Sequence, residues 1–215
     1  MKKNIFALIG DFYHPYDNAF STIKKAVEMN SAELIDGKID EISGAIDANP
    51  DAILLYRENR INPEDATVNL WLTDELDEKI TTYVKNGGSI IALHTAIALY
   101  PRDSKYTDMV KGYFIEHPVE HYLVRYKSTN TSGNPLGSPF DFTIKDEHYI
   151  VHVDEANTNV FMRHSSDYGE GCAAWHHNYG KGKVIVLVPT HNKEGFEHPQ
   201  TLRLLNEAIA WSLKG

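Results

Sequence analysis

The sequence predicts an α/β fold: a mostly parallel sheet with helices on both faces and added antiparallel strands. Short, continuous apolar runs read as strands buried on both sides, and segments of helical period separate them. Capping and glycine signals fall where those helices should begin and end.

Residues Asn4–Ile9 form the first apolar run. Residues 18–29 follow with Phe20, Ile23 and Val27 at helical spacing. After the turn signal Asn49-Pro50 comes a second buried run, 51–56. Thr73 is an N-cap ahead of Asp74 and Glu75, Leu76, Ile80 and Val84 mark one face of the next helix, and Gly87-Gly88 stops it. Ser89–Leu93 is a third buried strand. Between about 120 and 190 the pattern changes to short strands (122–126, 142–145, 148–153, 160–163 and 173–178) around a polar loop at 128–139. Tyr179-Gly180-Lys181-Gly182 reads as a hairpin turn into the apolar strand 183–189, and a helix over 199–213 closes the chain. No repeat or interdomain linker interrupts residues 1–215, so a single domain is expected.

The net charge of −9 argues against a nucleic-acid partner, because phosphate neutralisation needs clustered Lys and Arg. No apolar run approaches the ~20 residues of a membrane span. The N-terminal apolar run ends at Gly10-Asp11, short of the roughly 7–15 residues of a signal-peptide core, with no cleavage site after it. A lone cysteine, Cys172, fits a reducing compartment. The expectation is a cytoplasmic protein without membrane contact, with a symmetric homo-oligomer as the default assembly.

In an open α/β sheet, ligands bind beyond the carboxyl ends of the strands. The segments at those ends are Gly10-Asp11-Phe12-Tyr13-His14, Arg57-Glu58-Asn59, His94-Thr95 and Thr190-His191-Asn192, so histidines follow three of the four parallel-type strands. His94 stands out. The segment Ala92-Leu93-His94-Thr95-Ala96 has the shape of a nucleophile elbow, but an imidazole replaces Ser or Cys and suits acid–base or metal-ligand work. The plainer alternative is a histidine that satisfies a buried carbonyl or caps the next helix. After the strand at 142–145, Asp146 and His148 are expected on one face and Glu147 on the other. Tyr113-Phe114 with His117, and Trp175 on its strand, offer aromatic walls for a sugar.

Together these motifs resemble the ThuA-like (trehalose utilisation) family of the class I glutamine amidotransferase-like superfamily. The resemblance runs through Gly10–His14, Leu93–Ala96, Gly112–Phe114 with His117-Pro118, Phe142–Tyr149, Ala174-Trp175, Tyr179–Lys183, His191 and Phe196–Trp211. Lys111-Gly112 departs from the family's Gly-Gly, and His176-His177-Asn178 lacks its common Arg. The resemblance implies a three-layer flavodoxin-like core without the amidotransferase cysteine, and a role in using trehalose-type disaccharides or their 3-keto derivatives.

On this reading His94, Glu147 and His148 are the acid–base candidates. Asp11, Tyr13, His14, Arg57, Tyr113, Phe114, His117, Asp146, Trp175 and His191 are the substrate-binding candidates. His14, His94 and His191 could hold a divalent metal such as zinc, assembled from distant segments because no tight ligand motif exists. The expected partner is a small carbohydrate. A non-catalytic sugar-binding or sensing protein, and an amidotransferase-like partner subunit, are the competing readings.

Overall fold

The computed structural model describes residues 2–129 and 134–214. In chain order the elements are β1 (Asn4–Ile9), α1 (Tyr16–Met29), β2 (Glu33–Asp36), α2 (Ile42–Asp47), β3 (Ala52–Tyr56), α3 (Asp74–Lys85) and β4 (Ser89–Leu93). There follow α4 (Lys105–Val110), β5 (Gly112–Glu116), β6 (Tyr122–Ser128), β7 (Asp141–Asp146), β8 (Ile150–Val153), β9 (Asn159–Ser166), β10 (Gly169–Tyr179), β11 (Gly182–Leu187), α5 (Lys193–Glu197) and α6 (Pro199–Ser212).

Nine strands form one sheet in the order β2-β1-β3-β4-β11-β10-β9-β6-β7, and β5 pairs with β8 apart from it. β2, β1, β3, β4 and β11 run parallel, which is the doubly wound flavodoxin-like order with β11 as fifth strand. β10, β9, β6 and β7 continue the sheet antiparallel. The predicted fold class is therefore the observed one.

The central strands are parallel because both faces are apolar. Ile5–Ile9, Ala52–Tyr56 and Ile90–Leu93 are buried throughout. One helical layer is α1 with α5 and α6; the other is α2, α3 and α4. α1 presents Ala19, Ile23, Ala26 and Val27 to the sheet at the expected spacing. The Thr73 hydroxyl caps α3 by accepting from Leu76 N–H. At the β10–β11 turn Gly180 takes φ +61°, a left-handed conformation. Gly182 lies so close to the end of α3 that a Cβ there would sit 1.9 Å from the Val84 carbonyl oxygen.

β2, α2, α4, β5 and α5 were not anticipated, and residues 130–133 of the expected polar loop lie outside the described residues. Among the described residues no helix is long and apolar enough to cross a membrane.

Candidate metal centre

β1, β3, β4 and β11 all point their carboxyl ends at one rim, and the loops leaving β1, β4, β7 and β11 deliver His14, His94, Glu147 and His191 to it. One ligand atom from each of these four lies within 4.8 Å of the others. His14 Nε2, His94 Nε2, Glu147 Oε2 and His191 Nδ1 are all buried and complete no hydrogen bond. Glu147 Oε2 stands 3.3 Å from His94 Nε2 and 3.3 Å from His191 Nδ1, without hydrogen-bond alignment. Ligand bonds of 2.0–2.2 Å in a tetrahedron place donor atoms about 3.3–3.6 Å apart, so these two spacings suit a shared cation.

The far side of each ligand is fixed. His14 Nδ1 bonds the Asp11 carboxylate at 2.7 Å, which leaves Nε2 facing the centre. His94 Nδ1 donates to the Val188 carbonyl at 2.7 Å, with the same result. Both are the outer partners that metal-binding imidazoles ordinarily carry. His94 adopts φ +48° at the start of a 3₁₀ turn, Leu93 preceding it with extended backbone, so the elbow geometry exists and lifts the ring to the rim. The plainer reading holds for Nδ1, which satisfies a buried carbonyl, while Nε2 faces His14, Glu147 and His191.

Electrostatics follow from this packing. Burial acts to raise the Glu147 carboxyl, but His191 and His94 outweigh it and hold it well below the carboxylate range. Burial is the largest influence on His94 and lowers it against the pull of Glu147. His191 moves up because Glu147 overcomes its burial. Asp11 moves down because His14 overcomes its burial.

His14, Glu147 and His191 floor a cleft of about 380 Å³ whose walls are Tyr13, Glu58, Arg60, Ala98, Leu99, Phe114, His117 and Tyr149, and His94 is buried behind them, off the cleft lining. That size suits a small organic ligand. On its open side, His117 Nε2 and His121 Nε2 stand 3.6 and 3.8 Å from Glu147 Oε1. Tyr149 stacks on the His94 ring at 4.1 Å between centroids.

Tyr13, His14, Phe114, His117, Glu147 and His191 thus line the cleft; His94 does not, but its ring lies within reach of His14, Glu147 and His191 from beneath. Six other candidates are placed elsewhere. His148 turns away from Glu147 and bonds Ser166 Oγ, beside the His164 ring. β7 ends at Asp146, so strand alternation no longer governs the residues after it. Asp146 is fully buried behind the site, where Oδ1 accepts the backbone N–H of both His191 and Glu147 and Oδ2 accepts from Tyr126. Asp11 likewise supports His14 and does not face the cleft. Arg57 donates to the Gly10 carbonyl and lines a different depression beside Asp36 and Lys38. Tyr113 stacks on His152 under Arg102, one residue and one strand face away from Phe114. Trp175 is core: it is fully buried and donates to the Val110 carbonyl. Cys172 sits between Arg163 and Glu155, its thiol pushed up to about 11 chiefly by burial, which does not suit a nucleophile.

Reading the sequence missed Glu58, Arg60, Leu99, His121 and Tyr149. Two of them carried a local signal: Glu58 follows a buried strand at the expected edge, and His121 lies four residues after His117 in the same loop.

Fold and site together define a flavodoxin-like α/β protein with a histidine–carboxylate centre at the carboxyl edge of its sheet. The chain belongs to the ThuA family, described as trehalose utilisation, whose family model matches residues 17–212. Among solved structures it is similar to a ThuA-like protein from Parabacteroides merdae, with TM-score 0.74 and 14% identity over 100% of this chain and 91% of that one. A ThuA-like protein from Bacteroides uniformis gives TM-score 0.71 and 16% identity over 98% and 91%. The β-galactosidase of Rahnella sp. R3 gives 0.66 and 13% over 100% of this chain and 32% of that one, a likeness of fold. None of the curated proteins matches the sequence significantly.

Proposed function

We propose that this protein is a carbohydrate-utilisation enzyme that performs acid–base chemistry on a trehalose-type disaccharide or its 3-keto derivative, with one divalent cation held by His14, His94, His191 and Glu147. The observation that carries the reading is the convergence of four buried, hydrogen-bond-free donor atoms on one point. Leaving such groups unpaired costs roughly 1–3 kcal/mol each, more for a charged one, so a common partner accounts for them. Three imidazoles and one carboxylate suit zinc or another first-row divalent ion.

When bound, the cation would supply Lewis-acid polarisation of a substrate carbonyl or hydroxyl oxygen. The remaining work falls to side chains. Asp11 and the Val188 carbonyl keep His14 and His94 in the tautomers that face the centre. Glu147 stays ionised between His94 and His191. His117 and His121 border the open side, where they can take a proton from carbon next to a carbonyl and return it to a neighbouring atom. Phe114, Leu99 and Tyr149 keep the wall apolar around the sugar ring. The family's link to trehalose utilisation supports the substrate class, and the net charge of −9 favours a small-molecule partner over nucleic acid.

The test measures metal content by elemental analysis and turnover of 3-keto-trehalose for the native protein, His94→Ala and His191→Ala. About one equivalent of metal in the native protein, lost together with turnover in both variants, is the expected result. Native protein that takes up no zinc, manganese, iron or cobalt, or undiminished turnover in His94→Ala, would overturn the reading.

A further inference from the structure

We infer that Glu58 and Arg60, beside the ring of Tyr13, form a sugar-hydroxyl clamp on the cleft wall and select an uncharged polyol over its phosphorylated or carboxylated counterpart. This rests on the carbohydrate reading above.

The clamp is a fork. Arg60 Nε donates to Glu58 Oε1 at 3.0 Å and Nη2 to Oε2 at 2.9 Å. Glu58 is buried, and its own burial is the largest influence pushing its carboxyl up. The fork leaves N–H groups of the guanidinium and a second lone pair on each carboxylate oxygen available. Donors and acceptors therefore sit side by side, which is what neighbouring hydroxyls require, each being donor and acceptor at once. Arg60 also lies over the Tyr13 ring at 5.4 Å, and Tyr13 is 45% exposed. An exposed ring next to a polar fork is a platform for the apolar face of a pyranose.

The clamp is registered to the metal centre through one carboxylate. Asp11 Oδ1 accepts from Tyr13 N–H, His14 N–H and His14 Nδ1, while Oδ2 accepts from Glu58 N–H. The Glu58 carbonyl is held in turn by the Trp71 indole. A ring held by the clamp thus meets the centre at a fixed offset.

Selectivity follows from charge. Glu58 cancels the Arg60 cation within the fork, and the same cleft contains the ionised Glu147. At the clamp a phosphate or carboxylate group would meet the Glu58 carboxylate with no uncompensated cation, Glu147 being committed to the cation proposed for the centre. A purely structural ion pair is the plainer role. Yet burying charges rarely stabilises a fold more than apolar packing would, and this pair faces the cavity that holds the centre.

Calorimetry with trehalose and trehalose 6-phosphate tests the assignment on native protein, Glu58→Gln, Arg60→Ala and Arg60→Lys, with metal content measured for each. Native protein should bind trehalose at least about tenfold more tightly than the phosphate. Glu58→Gln frees the Arg60 charge and should narrow or reverse that ratio by a similar factor. Arg60→Ala should weaken trehalose about tenfold with metal content intact, and Arg60→Lys, which keeps the charge without the fork, should not restore it. Equal binding of both sugars by native protein, or trehalose affinity unmoved in Arg60→Ala, sinks the clamp and leaves the carbohydrate reading standing. Failure of native protein to bind any of trehalose, its 6-phosphate and 3-keto-trehalose sinks both. The native ratio needs no variant, so a variant that misfolds leaves the decision open to measurement.

Discussion

Asp11 uses both oxygens of one carboxylate to hold the cleft-facing His14, two backbone amides of its own turn, the Thr95 hydroxyl and the amide of Glu58. Its influence on chemistry is therefore exerted through His14. Asp11→Asn keeps the shape and removes the charge that fixes the His14 tautomer. Metal affinity should fall about 10–100-fold, measured by competition with a chromogenic chelator, and an unchanged affinity would show that this contact does not tune the site. His148 makes the contrasting case. Its ring nitrogen serves Ser166, so His148→Gln should lower the melting temperature while metal content stays at the native level. Loss of metal in that variant would place His148 back in the centre.

At the scale of elements, the hairpin β10–β11 docks on the end of α3 with no room to spare. Gly182 meets the Val84 carbonyl, and Gly180 meets the Lys85 carbonyl. Gly182→Ala should destabilise the protein by about 1–3 kcal/mol or more, read from urea denaturation, because the hairpin must lift off the helix end. An unchanged midpoint would mean that the turn shifts without cost. The same hairpin carries β11, whose end precedes Val188, the acceptor for His94 Nδ1, and then His191. The expected side effect is therefore looser metal retention, seen as faster release to a chelator.

The elements that escaped sequence reading share a physical cause. β2 is four residues at the sheet edge with no buried run, and α2, α4 and α5 span six, six and five residues, too short to establish a helical period. β5 shows its aromatic rings in the sequence, but its pairing with the distant β8 has no local signature.

Across the whole molecule, burial sets the response to acid. His164 is almost fully buried, and desolvation with the neighbouring His148 pushes it down to about 4 from an ordinary value of 6.5. The unfolded chain takes up this proton below about 6.5, while the folded chain refuses it until about 4. Unfolding therefore binds the proton, and stability falls as pH drops through that window, by roughly 3 kcal/mol in full. His164→Phe should flatten the loss of denaturation free energy between pH 7 and pH 4.5. A variant with the same slope as the native protein would assign the acid sensitivity to other groups.

Alternating apolar runs and helical periods, with Thr73 and Gly87-Gly88 as punctuation, pointed to the fold class and located β1, β3, β4 and β11 from sequence alone. They also placed histidines just beyond three strand ends. These signals survive because they depend on neighbours within a few residues and on burial of both sheet faces. The tertiary structure alone decided which polar atoms converge. Glu147, and not His148, faces the centre because the chain leaves β7 at Asp146 and turns freely from there. Asp11, Asp146 and Trp175 became supports, and Glu58, Arg60 and Tyr149 became walls, because a site is built from distances between segments far apart in the chain. Periodicity carries no information about those distances.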